Sequence, residues 1–363
     1  MGWKRPKRQD GNKWYLYGRN SNQRWKQRYG LQNSNHKIIM QRKVWIDNLR
    51  GFCMLAILLD HTEIYYTGEN VIDYNLYVAN VLIVFFILSG YLMYKATFNI
   101  KHKLHSIFRT LFIPYIVFTT AMYIPKNIIH SNGIDFVEMT KNILMGQASW
   151  FIAALIIAEL IFSTGIWISK GKNMPLAIMG VLGFGLSIYL SFKNQTYFWQ
   201  LDNALQALLF LYIGYLYHQY ESIINTINKM PYTLLLFLLL IGIKIYEYNI
   251  QMDMLIWHIH ITNYPIFLID SMIFSLMAIQ LFQNLPPIKW LSWIGKHSIV
   301  YYFLCGGIPL ITSKLLHYIG LNYDGNYLYI LLAFSCVCII TTLITYFIYK
   351  YTPLIAGKYE QNY

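Results

Sequence analysis

Arg50 and His61 are the two residues of this chain whose types and spacing point most directly to chemistry. They lie in the apolar stretch VWIDNLRGFCMLAILLDHTEIYY, residues 44–66, and His61 follows Arg50 by 11 positions. Eleven residues make close to three helical turns, so both side chains project from one helix face, roughly 16 Å apart along the axis. The Arg50 guanidinium suits a phosphate or carboxylate, and the His61 imidazole can act as a general base near neutral pH.

The apolar surroundings make these two side chains costly. An ionisable group inside a membrane segment costs about 2.5 kcal/mol or more and faces a protein interior or a water-filled cavity. A structural alternative stays open, in which Arg50 reaches to the membrane interface and His61 hydrogen-bonds to a neighbouring helix. Asp47 lies one turn before Arg50 and can pair with it, as a salt bridge or as part of a site. Adjacent helical residues diverge by about 100°, so we expect the partner of His61 on another helix rather than at Asp60.

The elements that must position Arg50 and His61 are membrane helices. The 363 residues are 56% hydrophobic and 12% charged, where soluble domains carry roughly 25% charged residues. We therefore predict an all-α polytopic membrane protein. Ten apolar segments approach the ~20-residue spanning length. They cover residues 45–66, 74–96, 106–125, 148–169, 174–192, 201–219, 231–249, 265–283, 298–318 and 327–350.

Charges in the connections predict the orientation, because short cytoplasmic loops carry the excess of Lys and Arg. The connections after the second, fourth and eighth segments are basic, whereas the first contains Glu63, Glu69 and Asp73 without a Lys or Arg. The basic loops therefore face the cytoplasm, and both termini lie inside. The basic residues are Lys95, Lys101, Lys103, Arg109, Lys170, Lys172, Lys289 and Lys296.

The sequence predicts three parts. Residues 1–39 form a basic disordered tail, in which ten Lys or Arg face one acid and which anionic lipid would attract. Met40 offers an alternative start, and under that hypothesis the tail is an over-extended reading frame. Residues 40–352 form the transmembrane domain, and residues 353–363 form a short cytoplasmic tail. The stretch FVEMTKNILM predicts a short interfacial helix, and the alternation in MDMLIWHIHITNYP predicts a short extended segment.

The four cysteines lie inside apolar runs, without the spacing of a disulfide framework or a zinc site. We interpret them as small buried hydrophobic residues and expect no metal. The basic tail favours membrane lipid over nucleic acid as its partner.

Five motifs together resemble the membrane-bound acyltransferase family 3, in a branch similar to sugar O-acetylases. Arg50–Gly51 and His61 match that family's arginine, ten residues, histidine pattern, and FFILSGYL at 85–92 follows in the expected order. The other motifs are RTLFIPY at 109–115, WFIAALIIAEL at 150–160, LDNALQALLFLYIGYL at 201–216 and WLSWIGKHSIVYYFL at 290–304. Two positions depart from the family. Ser106 replaces the first of two cytoplasmic arginines, and Cys305 stands where a histidine often follows the Tyr-aliphatic run.

The resemblance implies transfer of an acyl group, usually acetyl, from cytoplasmic acyl-CoA to a hydroxyl of a glycan or its lipid-linked precursor. His61 would be the base, or less readily a nucleophile, and Arg50 would orient the donor or stabilise developing charge. The basic loop, with Arg109, Lys103, Lys101 and His105, would bind the donor. This places the chain in a bacterial inner membrane. A transporter or flippase for glycan intermediates stays open as an alternative, as does a degenerate family member acting as an assembly partner.

Weaker candidates each have a structural alternative. Ser89 and Tyr91 flank a glycine, which is more typical of close helix packing than of catalysis. Trp150 is an interface anchor or a wall of the acyl cavity. Glu159 is an intramembrane acid without an obvious partner. Three candidates lie on the predicted outer side: Asp202, His258 and His260. They contact the acceptor or, alternatively, are ordinary polar groups of the surface.

Overall fold

The structure is a computed structural model that describes residues 32–34, 37–39, 42–129, 135–193 and 195–357. Its described residues are mainly helical, which confirms the all-α class. The helices are α1 (Val44–Thr67), α2 (Tyr74–Met93), α3 (Ile100–Ile107), α4 (Ile113–Ile129), α5 (Phe136–Leu144), α6 (Trp150–Ser169), α7 (Asn173–Ser191), α8 (Leu201–Ile227), α9 (Met230–Asn249), α10 (Tyr264–Asn284), α11 (Lys289–Lys296), α12 (Ser298–Leu304), α13 (Ile308–Tyr318) and α14 (Tyr327–Tyr351).

Two small antiparallel hairpins accompany the helices. Strand β1 (Gln32–Ser34) pairs with β2 (Lys37–Ile39), which the sequence did not predict within the tail. Strand β3 (Met254–Leu255) pairs with β4 (His260–Ile261), within the stretch predicted to be extended. The rest of the predicted tail, the alternative start at Met40 and residues 358–363 lie outside the described residues. The chain divides into two units, residues 1–44 and 45–363, and the site described below belongs to the second.

Seven helical segments in the described part of the chain are long and apolar enough to cross a membrane. They are α2, the segment 100–125, α6, α7, α9, α10 and α14. The pair α12 and α13 makes an eighth if it counts as one span, bent by 49° at a short break. A multi-pass membrane protein is therefore confirmed. The count of ten stays a prediction, since it also requires α1, which carries four charged residues, and α8, whose first turns hold Asp202, Asn203 and Gln206.

The lipid-facing surface is clearest on α9. Leu234, Leu235 and Leu238 are each more than half exposed along this helix. A soluble protein rarely exposes a contiguous apolar patch of this kind, whereas a bilayer solvates it. Residues 136–144, for which an interfacial helix is predicted, form α5, whose apolar Val137 is 79% exposed. Both features fit helices in contact with lipid.

Helices α2 and α8 cross with almost no space between their backbones. A Cβ atom on Gly90 would overlap the carbonyl group of Leu211, and one on Gly214 would overlap the carbonyl group of Ile87. Each helix thus presents a glycine to the carbonyl of the other, which is the small-residue packing of membrane helices. The close approach that the sequence predicts around Gly90 is therefore present.

Candidate functional site

Helix α1 carries both residues of the Arg50–His61 pair. It is helical from Val44 to Thr67, so the two residues lie roughly 16 Å apart along its axis, as predicted. Both side chains are half-buried. We refer below to the Arg50 end and the His61 end of the helical unit, meaning the parts that lie near these two residues.

Glu63 fixes the His61 end of α1. It is fully buried, and its Oε2 accepts the backbone N–H groups of Val71 at 3.1 Å and Ile72 at 3.0 Å. The hydroxyl of Tyr327 donates to Oε1 at 2.5 Å. One carboxylate therefore ties α1 to the connection before α2 and to the start of α14. We call these three hydrogen bonds the Glu63 clamp.

Further contacts hold the same end of α1. The Asn70 amide donates to Asp60 Oδ1 at 2.6 Å. The Tyr66 hydroxyl donates to the Leu321 carbonyl at 2.9 Å, and His317 Nε2 donates to the Tyr66 carbonyl at 3.1 Å. The rings of Tyr66 and His317 stack with centroids 5.1 Å apart. The backbone beside His61 is therefore held by the connection before α2, by α13 and by the loop that follows α13.

Tyr65 packs beside His61, and the start of α6 is joined to α12. The His61 ring stacks on Tyr65, with centroids 6.4 Å apart. The Cys305 thiol donates to the Tyr302 carbonyl at 2.9 Å, and the Tyr302 hydroxyl accepts from Ser149 Oγ at 3.4 Å. The start of α6 therefore meets α12 just before its break with α13.

The Arg50 end is built on close backbone contacts. A Cβ on Gly51 would overlap the carbonyl of Leu291, and a Cβ on Gly295 would overlap the carbonyl of Asp47. Asp47, a predicted supporting residue, is buried at this crossing of α1 and α11. These contacts hold the first two turns of α1, from which Arg50 projects.

Glu159 has partners that the sequence did not predict. Lys103 Nζ forms an ion pair with its Oε2 at 2.8 Å, and the Ser89 hydroxyl donates to its Oε1. The partners of Glu159 were not obvious from the sequence, because they come from α2 and α3, distant from it along the chain. The side chain of Lys103 is 23% exposed and that of Glu159 is 9% exposed.

The other residues of the predicted donor loop lie on α3 and the turn that follows it. Lys101 and His105 are exposed, and Arg109 is half-buried. Arg109 Nη1 lies 3.3 Å from His105 Nε2. The structure thus brings His105 and Arg109 together, whereas Lys103 is directed toward Glu159.

Tyr91 belongs to a packed group at the Arg50 end. Its hydroxyl donates to Glu221 at 2.9 Å, and its ring stacks on His218 with centroids 4.1 Å apart. His218 Nδ1 donates to the Tyr91 carbonyl at 2.6 Å, and Trp45 of α1 meets the Tyr91 ring edge to face. Tyr91 therefore connects α1, α2 and α8.

The residues predicted on the outer side separate into two groups. Asp202 is buried and interacts electrostatically with His258. The exposed His258 stacks on Trp257 with centroids 4.2 Å apart. His260 instead lies 3.7 Å from a carboxylate oxygen of Asp253. Asp202 and His258 thus share one region, and His260 belongs to the surface of the β3–β4 hairpin.

Sequence reasoning missed a buried polar network between α2, α9 and α10. Lys244 Nζ donates to Glu247 at 2.9 Å, to Asp270 at 2.8 Å and to the Asn75 carbonyl at 2.9 Å, and Asn80 also donates to Asp270. Intramembrane charges usually pair in this way. A signal was present, since Lys244, Glu247 and Asp270 interrupt apolar segments and the first two are three residues apart on α9. The pairing of Lys244 with Asp270 on α10 is a tertiary property.

Comparison with known proteins concerns almost the whole helical unit. A family model described as an acyltransferase domain matches residues 43–350, from the residue before α1 to the last turn of α14. No curated protein and no solved structure matches the chain.

Proposed function

The chain belongs to acyltransferase family 3, and from this premise we propose that it transfers an acetyl group from cytoplasmic acetyl-CoA to a hydroxyl of a cell-surface glycan or its lipid-linked precursor. The proposal includes a bacterial inner membrane, with both termini in the cytoplasm. The observation that carries it is the placement of Arg50 and His61 on one continuous helix within the matched region.

The Arg50 end supplies the donor side. Acetyl-CoA is anionic at its nucleotide and carries the thioester at the tip of a long arm, so cations at one end of the site and a base at the other suit it. Lys101 and Arg109 offer positive charge on α3 and the following turn, and His105 lies beside Arg109. Lys103 is a positioning residue in this proposal, because its ammonium group already binds Glu159 at 2.8 Å.

The separation along α1 supports different roles for its two residues. At roughly 16 Å from His61 along the axis, the Arg50 guanidinium is too distant to contact a carbonyl that reacts at the imidazole. Arg50 therefore orients the donor, and stabilisation of the charge that develops on the carbonyl oxygen falls to groups near His61.

The chemistry at His61 is general base catalysis. The imidazole takes the proton of the acceptor hydroxyl as its oxygen attacks the thioester carbonyl carbon. The tetrahedral intermediate then collapses, the carbon–sulfur bond breaks, and the leaving thiolate takes the proton from the imidazolium. The products are the acetyl ester and CoA thiol, with no net change in protons. The Glu63 clamp, two residues away, holds the backbone of the base in place.

The test is transfer of radiolabelled acetyl from acetyl-CoA to surface polysaccharide in membranes that contain the protein. His61→Ala should abolish the transfer, and the exposed His102→Ala serves as the matched control and should retain it. Glycan acetylation that is unaltered in the His61 variant would exclude the proposal. A transporter of glycan intermediates predicts instead that glycan export, and not the label in the glycan, depends on His61.

A further inference from the structure

The first turns of α8 bury polar atoms that lack hydrogen-bond partners among the described residues. These atoms are Asp202 Oδ1, Asn203 Oδ1 and both amide atoms of Gln206. Asp202 is 7% exposed, and Asn203 and Gln206 are each 1% exposed. Buried polar atoms in native proteins are satisfied by protein groups, ordered water or a ligand. Four such atoms on two successive turns therefore mark a place where something polar binds.

Asp202 and Gln206 share one face of α8, because residues four apart on a helix are neighbours. Asn203 has a different task, since its amide donates to the Ile256 carbonyl at 2.6 Å and holds the loop of the β3–β4 hairpin against α8. The loop residue next to Ile256 is Trp257, whose indole donates to Gln200 Oε1 at 3.1 Å. The same short loop thus covers the start of α8 and brings an indole to it.

Two indoles lie together at this position. Trp257 stacks on Trp150, the first residue of α6, with centroids 6.2 Å apart and an interplanar angle of 15°. Trp257 is 41% exposed, so one part of this aromatic pair remains accessible to a ligand. His258, which stacks on Trp257, interacts electrostatically with Asp202. The aromatic pair and the polar face of α8 are therefore linked through residues 257–258.

The donor and acceptor inventory restricts the chemistry of the occupant. An ionised Asp202 carboxylate only accepts hydrogen bonds, whereas the Gln206 amide both donates and accepts. A buried carboxylate disfavours an anion such as phosphate and favours hydroxyl donors. Flat indole faces pack against the apolar face of a ring and leave its hydroxyls free for polar partners. Together these groups fit a neutral ring that carries several hydroxyls.

We propose that Asp202 and Gln206 of α8, with the Trp150–Trp257 pair, form the binding site for the hydroxyl-bearing ring that accepts the acyl group. The assignment rests on the proposed function, since it names the acceptor site of that reaction. The location agrees with it. The backbone N–H of Met254, in the same hairpin as Trp257, donates to Asn75 Oδ1 at 2.8 Å, and Asn75 follows the connection whose residues Val71 and Ile72 donate to Glu63. Substrate bound here therefore lies at the same end of the helical unit as the catalytic base.

The experiment measures acetyl transfer kinetics with surface polysaccharide of the host as the varied acceptor and radiolabelled acetyl-CoA as the donor. Gln206→Leu should raise KM for the polysaccharide about tenfold or more, as expected when buried hydrogen bonds to a ligand are lost, with KM for acetyl-CoA unchanged. Gln219→Leu is the matched control. Gln219 also buries an amide oxygen without a partner among the described residues, but it lies 13 positions further along α8, roughly 20 Å away.

The outcomes separate this site from the proposed function. An unchanged polysaccharide KM in Gln206→Leu, with active wild type, would overturn the site and assign its polar atoms to ordered water. A wild type that transfers no acetyl group overturns the proposed function itself. If the leucine variant is not recovered from membranes, Gln206→Met, which keeps the side-chain length, and Trp257→Leu replace it, and both should raise the same KM.

Discussion

The Glu63 clamp offers a quantitative test of how the helix of the proposed base is held. Glu63→Ala removes the acceptor of three donors, the amides of Val71 and Ile72 and the hydroxyl of Tyr327. Hydrogen bonds to charged groups contribute about 1.5–3 kcal/mol each. Val71 is 39% exposed, so water partly replaces the lost acceptor there. We therefore expect a loss of about 3–5 kcal/mol in the free energy of unfolding.

Glu63→Gln separates charge from geometry. The amide oxygen can still accept the two backbone N–H groups while its NH₂ group donates to Tyr327. Only the charge assistance is lost, and charge-assisted hydrogen bonds are roughly twice as strong as neutral ones. The glutamine variant should therefore lose about half as much stability as the alanine variant.

The measurement is unfolding of the purified protein by SDS in mixed micelles, together with acetyl transfer at saturating substrates. Glu69→Ala is the matched control, because Glu69 is an exposed acid in the same connection and its replacement should change stability by less than about 0.5 kcal/mol. Transfer should fall in Glu63→Ala more than in Glu63→Gln. If Glu63→Ala is as stable as Glu69→Ala, the clamp does not hold α1 and the reasoning is refuted.

Two further predictions use matched pairs in the same unfolding assay. Gly90→Ala should lower the free energy of unfolding by about 1–3 kcal/mol or more, since the Leu211 backbone cannot move to make room. Gly242→Ala, whose added Cβ would meet nothing within 4 Å, should raise it by up to about 1 kcal/mol. Equal effects of the two substitutions would contradict the close α2–α8 crossing. Lys103→Met should lower the free energy of unfolding by about 1–3 kcal/mol, because it leaves Glu159 buried without its cation. The partial exposure of Lys103 limits the loss to this range. Lys101 is exposed, so Lys101→Met should leave stability unchanged and raise KM for acetyl-CoA. If Lys101→Met lowers stability and Lys103→Met raises KM instead, the roles of the two lysines are exchanged.

The positions of the helices were predictable because the apolar segments are long and their ends coincide with charges and turns. All ten predicted segments overlap helices of the structure, although α8 continues to Ile227 and the helical stretch around residues 106–125 begins at Ile100. The separation of Arg50 from His61 was also predictable, since it depends only on helical geometry. The bend between α12 and α13 was not, because residues 298–318 are apolar throughout and nothing local distinguishes a broken span from a straight one.

Partners across helices could not be predicted from one sequence. Glu159 meets Lys103 only because α3 packs beside α6, and Glu63 meets Tyr327 across more than two hundred residues of chain. Both pairings are set by tertiary packing, and periodicity carries no information on it. Gly90 indicated the close approach of another helix, but nothing in the sequence indicated which helix that is.

The α2–α8 crossing has a consequence for biosynthesis. Gly90 and Leu211 are 121 residues apart in sequence, and chains are made at about 5–20 residues per second, so α2 leaves the ribosome on the order of ten seconds before the surface that it fits. During that interval its glycine face and its Asn80 amide lack their native neighbours, because Asp270 is synthesised later still. Assembly of this protein therefore requires that α2 stays accessible until α8 has been synthesised. Substitutions on the face of α2 that packs against α8 should first reduce the amount of protein that matures.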